Sequence, residues 1–353
     1  MHVALLANLK KNAPTWEGIS PDRWDDLDSE ETIEALTRAL ESGGHRVTFL
    51  EGDIGLAKTV AQVRPDICFN ISEGHYGDSR EAHVPAILEM LRVPYTGSAV
   101  LTLALSLDKP MTKRVLTYHG LPTPAFQVFE RVPEPLDADM KFPLFVKPSR
   151  EGTGMGVTPE SIVRNEEQLR NQLRSQFERY DQPLLVEEYI EGREITVGVV
   201  GNLTSPVAWR LPENEEAPRI QRGLTFLPPL EIDLHRYETE AGVYTSRIKT
   251  ELVHDFYWTC PAELEEELVE ELNWLTAATY RVTGCRDVAR VDFRLNKHED
   301  NKPYILEINP LPGLNPEYSD LCIEARAAGW TYEQLVNRIL DEAAEREGLL
   351  AEA

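Results

Sequence analysis

Cysteine is scarce. The 353 residues hold four, Cys68, Cys260, Cys285 and Cys322, with no Cys-x-x-Cys spacing among them. That argues against a disulfide scaffold or a thiolate zinc site and fits a reducing compartment, the cytoplasm. Positive charge is also short: 36 Lys and Arg against 60 Asp and Glu give a formal net charge of −24 and a pI near 4.8. Phosphate backbones and anionic membrane surfaces repel such a chain, so small molecules rather than nucleic acid or membrane are the expected partners. No run approaches the roughly 18 apolar residues of a membrane span, and the N-terminus lacks the apolar core of a signal peptide, so a soluble, intracellular protein is expected. Internal repeats and low-complexity tracts are absent. So are the P-loop pattern Gly-x-x-x-x-Gly-Lys-Ser/Thr and a dinucleotide fingerprint, which removes two common routes to nucleotide binding.

What the chain does have is length and ordinary hydrophobicity, 42%, enough for two or three domains around a sizeable core. Val3–Ala7, Arg46–Leu50 and Pro65–Ile71 read as strands. Between the first two, Ile33, Leu36, Ala39 and Leu40 form a helical stripe, with Asp28 and Glu31 as a box-like start and Gly43-Gly44 as the stop. Strands alternating with helices predict a parallel α/β sheet. Further helices are expected over Val84–Leu91, Leu101–Tyr118, Asn165–Phe177, Cys260 to about Val282, and Thr331–Glu347.

The most informative stretch is Tyr304–Gly313, Tyr-Ile-Leu-Glu-Ile-Asn-Pro-Leu-Pro-Gly. Glu307 and Asn309 lie two apart, so a strand points both to one face. Upstream, Asp287–Phe293 puts Arg290 and Asp292 on one face and Ala289, Val291 and Phe293 on the other. Two neighbouring strands of this kind gather Asp292, Glu307 and Asn309, hard oxygen donors suited to Mg²⁺, beside a guanidinium able to stabilise phosphoryl charge. The same spacing also suits a buried salt bridge of Arg290 with Asp292 or Glu307.

Three other segments carry chemistry-bearing residues. The loop Ser72–His83 follows the third strand, where open α/β sheets present ligands, and offers His75, Arg80 and Glu81. Lys147 ends an apolar strand and leads into Pro148–Val157, whose glycines at 152, 154 and 156 let backbone approach a polyanion. Pro183–Val200 brings Glu187 and Glu188, then Glu194 at the start of another apolar strand.

Joined in this order, with Val93-Pro-Tyr-Thr-Gly-Ser98 and Leu107-Asp-Lys109, these segments resemble the ATP-grasp superfamily and, within it, the D-alanine:D-alanine ligase family. The resemblance runs from about Val3 to Leu340. It implies a three-domain α/β (α+β) ATP-grasp fold: an N-terminal parallel α/β domain (1–98), a central lid (99–185) and a C-terminal domain with the metal and substrate site (186–353). It also implies ATP with Mg²⁺, Mn²⁺ being a substitute, and carboxylate–amine ligation of amino-acid substrates through an acyl phosphate, in a protein that is commonly a homodimer. Lys109 and Lys147 then contact phosphate, with Thr153 and Gly154 in the covering loop. Glu187, Glu188 and Ile190 line the adenine crossing, Glu194 holds ribose, and Lys249 belongs to a mobile loop over the site. Asp292, Glu307 and Asn309 hold the metal, while Arg290, His75 and Ser319 act on the substrates. The chain departs from the family in the His75 loop, at Thr153 and Thr250 where the family closes with serine and tyrosine, in keeping only Tyr244 and Lys249 of the mobile-loop motif, in lacking the acidic residue after an N-terminal Gly-Gly-x-Ser, and at Asp320, where the family is apolar. Those departures leave room for a ligase of a different amino-acid pair or hydroxy acid, and for a nucleotide-binding protein without turnover.

Overall fold

The computed structural model describes residues 1–204, 221–234 and 258–350. Tyr244, Lys249 and Thr250 lie outside the described residues. His2–Ala7 (β1) is apolar on both faces and both are covered. Its parallel neighbours are Arg46–Glu51 (β2) and Ile67–Asn70 (β3), in the order β2-β1-β3. Val3, Leu5 and Ala7 pack with Ile33, Leu36 and Leu40 of Glu30–Ser42 (α1). Ala4 and Leu6 pack with Leu56–Val63 (α2) and His83–Leu91 (α3). A parallel sheet buried on both sides is the arrangement the strand–helix alternation predicted.

The start of α1 differs from expectation. Ser29, not Asp28, is the N-cap, its hydroxyl accepting from the Thr32 amide at 3.3 Å. Asp28 is instead held by its backbone: its N–H donates to the Asn8 carbonyl at 3.2 Å and its carbonyl accepts from Lys10 at 2.9 Å. Its carboxylate is thereby left for a cavity described below.

The helix expected over Leu101–Tyr118 is two helices, Val100–Leu107 (α4) and Lys109–Tyr118 (α5). Asp108 between them is extended and caps α5, accepting from the Met111 amide at 2.9 Å, with Pro110 in the first turn. The break makes Lys109 the first residue of a helix instead of one on a continuous helical surface.

Phe126–Phe129 (β4), Leu144–Pro148 (β5), Ile162–Val163 (β6) and Leu184–Glu188 (β7) form an antiparallel sheet in the order β4-β7-β5-β6. Glu166–Tyr180 (α6) packs Leu169 and Leu173 against it. Gly192–Gly201 (β8) then begins a second antiparallel sheet with Leu224–Phe226 (β9), Leu230–Ile232 (β10), Trp258–Thr259 (β11), Val288–Asn296 (β12) and Lys302–Asn309 (β13). Its core face is covered by Glu266–Thr283 (α7), which starts at Glu266, later than the expected Cys260. Asp320–Ala327 (α8) and Tyr332–Arg346 (α9) close the described chain. Leu335, Val336, Ile339 and Leu340 of α9 join the cluster around β1 and α1, so residues near the C-terminus complete the core of the first sheet. Among the described residues no helix is long and apolar enough to cross a membrane.

Candidate active site

Strand β12 sits between β8 and β13 and sorts its side chains strictly by parity. Ala289, Val291, Phe293 and Leu295 enter the core under α7. Arg290, Asp292 and Arg294 therefore project from the opposite face, and the register sets their neighbours: Gly198, Thr196 and Glu194 on β8, with Asn309 and Glu307 of β13 opposite Arg290 and Asp292. The sequence pattern brought these groups to one surface, and the ladder places them side by side.

On β13 a simple alternation would put Ile305 on the same face as Glu307 and Asn309. Ile305 is nonetheless in the core. A register shift after Asp292 pairs Glu307 with Asp292 but Ile305 with Phe293, leaving Leu306 as the extra residue of a bulge.

Polar contacts on this face are dense. Arg290 grips Asp292 with two parallel bonds, Nε to Oδ1 at 2.9 Å and Nη2 to Oδ2 at 3.0 Å, and reaches Asp320 with Nη1 at 3.3 Å. Thr196 donates to Asp292 Oδ1 at 2.7 Å, and Asn309 Nδ2 to Oδ2 at 2.9 Å. The expected salt bridge and the expected oxygen cluster are thus the same constellation. Burial alone would weaken the guanidinium's hold on its proton, but Asp292 and Asp320 outweigh it and push Arg290 well above its ordinary value. Gly198, opposite Arg290, is needed for space: a Cβ there would lie 2.2 Å from Glu324 Oε2 and 2.5 Å from Leu321 Cδ1. Gly198→Ala is expected to overpack the β8–α8 contact and cost about 1–3 kcal/mol, read as a lowered midpoint in urea unfolding.

Two cavities flank these strands. The smaller, about 100 Å³, is lined by Lys109, Lys147, Gly154, Glu187, Glu188, Ile190 and Glu194, together with Asp292 and Glu307. The larger, about 350 Å³, takes in Arg290, Glu307, Asn309, Thr153 and Ser319. Lys109, Glu151 and Glu307 line both, so the cavities meet there. Lys109 Nζ lies 3.2 Å from Glu307 and donates to the Glu151 carbonyl at 2.6 Å.

Lys147 pairs with Glu187 at 2.7 Å, and Glu187's other oxygen meets Lys113 at 2.7 Å. Burial acts to lower Lys147, but Glu187 and Glu307 outweigh it and hold its ammonium above the ordinary lysine value. On Lys113 burial dominates, and its value falls. Burial would raise Glu187, but the two ammoniums overcome that and hold it below the usual carboxylate range. Glu194 pairs with Arg294 at 2.8 Å.

The glycine loop turns where its sequence allows, with positive φ at Thr153, Gly154 and Gly156. It is tied to the N-terminal loop: the Gly156 amide donates to Asp22 at 3.1 Å, and Arg23 reaches Glu151 at 2.6 Å.

Comparison with known proteins now bears on what these cavities are for. A family model described as D-ala D-ala ligase C-terminus matches residues 115–215 and 230–341. The chain is 33% identical over 337 residues to the D-alanine--D-alanine ligase of Syntrophotalea carbinolica, covering 96% of this chain and 97% of that one. This chain belongs to the D-ala D-ala ligase family. It is also 37% identical over 321 residues to an uncharacterized protein of Sinorhizobium fredii, covering 89% and 87% of the two chains. The D-alanine--D-alanine ligase of Bacillus anthracis, in a crystal structure with ATP, shares the fold at a TM-score of 0.72 and 24% identity, with 99% of each chain covered. The protein is an ATP-grasp ligase, with the α/β ATP-grasp fold expected from its motifs.

For a ligase of this family, the structure unites most of the residues singled out from the sequence. His75 and Arg80 are exceptions: the His75 ring packs against Trp24 at 5.4 Å and Tyr76 at 6.2 Å and lines neither cavity. Arg80 is buried and lines neither one, bonding Asp26 at 2.8 Å and the Arg150 carbonyl at 2.8 Å. Lys249 lies outside the described residues. Sequence reasoning missed Phe145, Met155, Tyr189 and Leu306, which wall the smaller cavity. Apolar side chains of these types line cavities and cores alike, so their identity alone carries no signal. Lys113 carries no mark in the sequence; its 1% exposure and its ion pair with Glu187 show its place.

Proposed function

We propose that this ligase binds ATP in the smaller cavity and joins an amino-acid carboxylate to an amine in the larger one through an acyl phosphate. The observation that carries this is the junction: Lys109 and Glu307 line both cavities, so a phosphate at the end of one meets a carboxylate in the other. In this reading adenine lies among Phe145, Met155, Tyr189 and Ile190, against the backbone near Glu188, and Glu194 faces the ribose. The Glu187 carboxylate is taken up by Lys147 and Lys113, so its part is to hold Lys147 toward phosphate.

The donor set fits Mg²⁺. Asp292 and Glu307 are paired across β12 and β13, and Asn309 offers an amide oxygen because its Nδ2 already donates to Asp292. Among the described residues no three His, Cys, Asp or Glu side chains are placed to hold a metal by themselves. That suits an ion held by one or two carboxylates and completed by phosphate oxygens, whose charge it would neutralise.

The substrate carboxylate attacks the γ-phosphorus and ADP leaves. The amine then attacks the acyl carbon, phosphate leaves, and the amine's proton is released. Lys109 and Lys147 hold the phosphates in line, Ser319 meets a substrate carboxylate, and Arg290 faces the oxyanion of the tetrahedral intermediate.

The test is phosphate release from ATP and Mg²⁺ across single and paired D- and L-amino acids, with products weighed by mass spectrometry. Expected are stoichiometric ADP, phosphate and a condensation product, all abolished by EDTA. Phosphate release indifferent to every amino acid, with no condensed product, overturns the reading.

A further inference from the structure

The larger cavity is acidic beyond what its own cations can balance. Every cation that lines it is committed: Lys10 to Asp25 at 2.9 Å, Lys109 to Glu307, and Arg290 to Asp292 and Asp320. Behind the wall Arg80 serves Asp26 at 2.8 Å and Glu151 at 3.4 Å. Asp28, Glu73 and Glu81 also line the cavity; among the described residues no hydrogen bond or ion pair reaches their carboxylates, while the charge of Arg80 acts on Glu73 and Glu81 and that of Lys109 on Glu81. Asp26 lines the same cavity with a side chain only 4% exposed; Arg80 holds its Oδ2, and its buried Oδ1 has no hydrogen-bond partner among the described residues.

This arrangement is held by the backbone. Asp28 is fixed by its bonds to Asn8 and Lys10, and the Asn8 side chain accepts from the Gly74 amide at 2.9 Å, tying the Glu73 turn to the same strand end. Gly74, at φ +74°, lets that turn close on Arg80: a Cβ would lie 2.5 Å from the Arg80 carbonyl oxygen. Glu73 is thereby folded back toward Glu81. Burial and the charges of Glu81 and Asp26 push Glu73 well above the usual carboxylate range, and burial with Asp26 pushes Asp28 up to about 7. Carboxylates gathered this way repel one another unless a cation joins them. An organic ammonium asks only for several acceptors around it.

An ordinary amino acid brings no net charge, because its ammonium is matched by its own carboxylate. We propose that the substrate of this cavity is a diamino acid, whose second ammonium is held by Asp28, Glu73 and Glu81. The proposal rests on the ligase reading for the word substrate, but it concerns binding and is tested by binding.

Calorimetric titration of the full chain, loaded with a non-hydrolysable ATP analogue and Mg²⁺, compares both enantiomers of 2,4-diaminobutyrate and ornithine with 2-aminobutyrate and norvaline. A diamino acid is expected to bind about 10- to 100-fold tighter than its neutral counterpart, the worth of one charge-assisted contact. Glu73→Gln and Asp28→Asn should each shrink that ratio about tenfold, and because both relieve repulsion they should fold at least as stably as the parent. Equal affinity for the neutral counterparts, no binding of any diamino acid, or a ratio unmoved in both variants overturns the proposal. Ligation of D-alanine alone beside equal affinities would leave the ligase reading standing and sink this one. Tight diamino-acid binding without turnover would do the reverse.

Discussion

Arg290→Ala is expected to lower kcat by about 10²–10³, as loss of one preorganised oxyanion donor does, with a smaller change in KM. The guanidinium is not a loose surface charge. It is clamped by two bonds to Asp292, flanked by Asp320, and seated opposite Gly198, so its remaining reach is into the larger cavity. Alanine removes the cation from between these carboxylates, and some loss of stability comes with it. Arg290→Lys separates the two effects. It keeps a charge among the carboxylates but loses the two-pronged geometry, so it should fold nearly as well as the parent and still lose most of kcat. Steady-state phosphate release and a urea midpoint on both variants decide the matter. A folded Arg290→Ala protein with near-parental turnover would remove Arg290 from the chemistry.

Glu187→Gln is expected to be the most destabilising single change in the smaller cavity. Glu187, Lys113 and Lys147 are 3%, 1% and 8% exposed, and one carboxylate serves both ammoniums. Removing it leaves two buried cations without the one carboxylate that pairs with both, a loss of about 3–5 kcal/mol and a melting temperature lower by roughly 10 °C. Adding Lys113→Met to a Glu187→Leu change should recover part of this, because it removes one orphaned cation and fills the space. The sign of the pH dependence follows from the depressed Glu187 value. Its contribution is complete above the unfolded carboxylate value near ~4.3 and disappears as the pH falls through the lower folded value. The parent should therefore lose stability in acid more steeply than Glu187→Gln. Calorimetric scans at a series of pH values check this, and parallel curves would show that the triad carries no such weight.

Much of the site was legible in the chain because strands alternate. Arg290 with Asp292, and Glu307 with Asn309, had to share faces once their segments were strands, and the apolar residues between them had to be core. The glycines after Lys147 were legible too, since Gly154 and Gly156 stand at positive φ, where other residues are strained. Local chemistry also sufficed to find strands β1 to β3 and helices α1, α3, α6 and α9 within a few residues.

Tertiary structure decided what depends on partners far along the chain. Which strand pairs with β12, and the bulge that sends Ile305 inward while Glu307 stays out, are set by packing under α7, not by the local pattern. Whether Asp28 or Ser29 caps α1 was settled by the backbone of Asn8 and Lys10, and the fate of Lys113 by a glutamate 74 positions away. That the His75 ring packs against Trp24 and Tyr76 and lines neither cavity is likewise a matter of tertiary packing. A single chain declares side-chain types and their local periodicity. Charge balance in a cavity is a sum over loops and strands brought together only by the fold, so the gathering of the Asp28, Glu73 and Glu81 carboxylates on one cavity became visible only there.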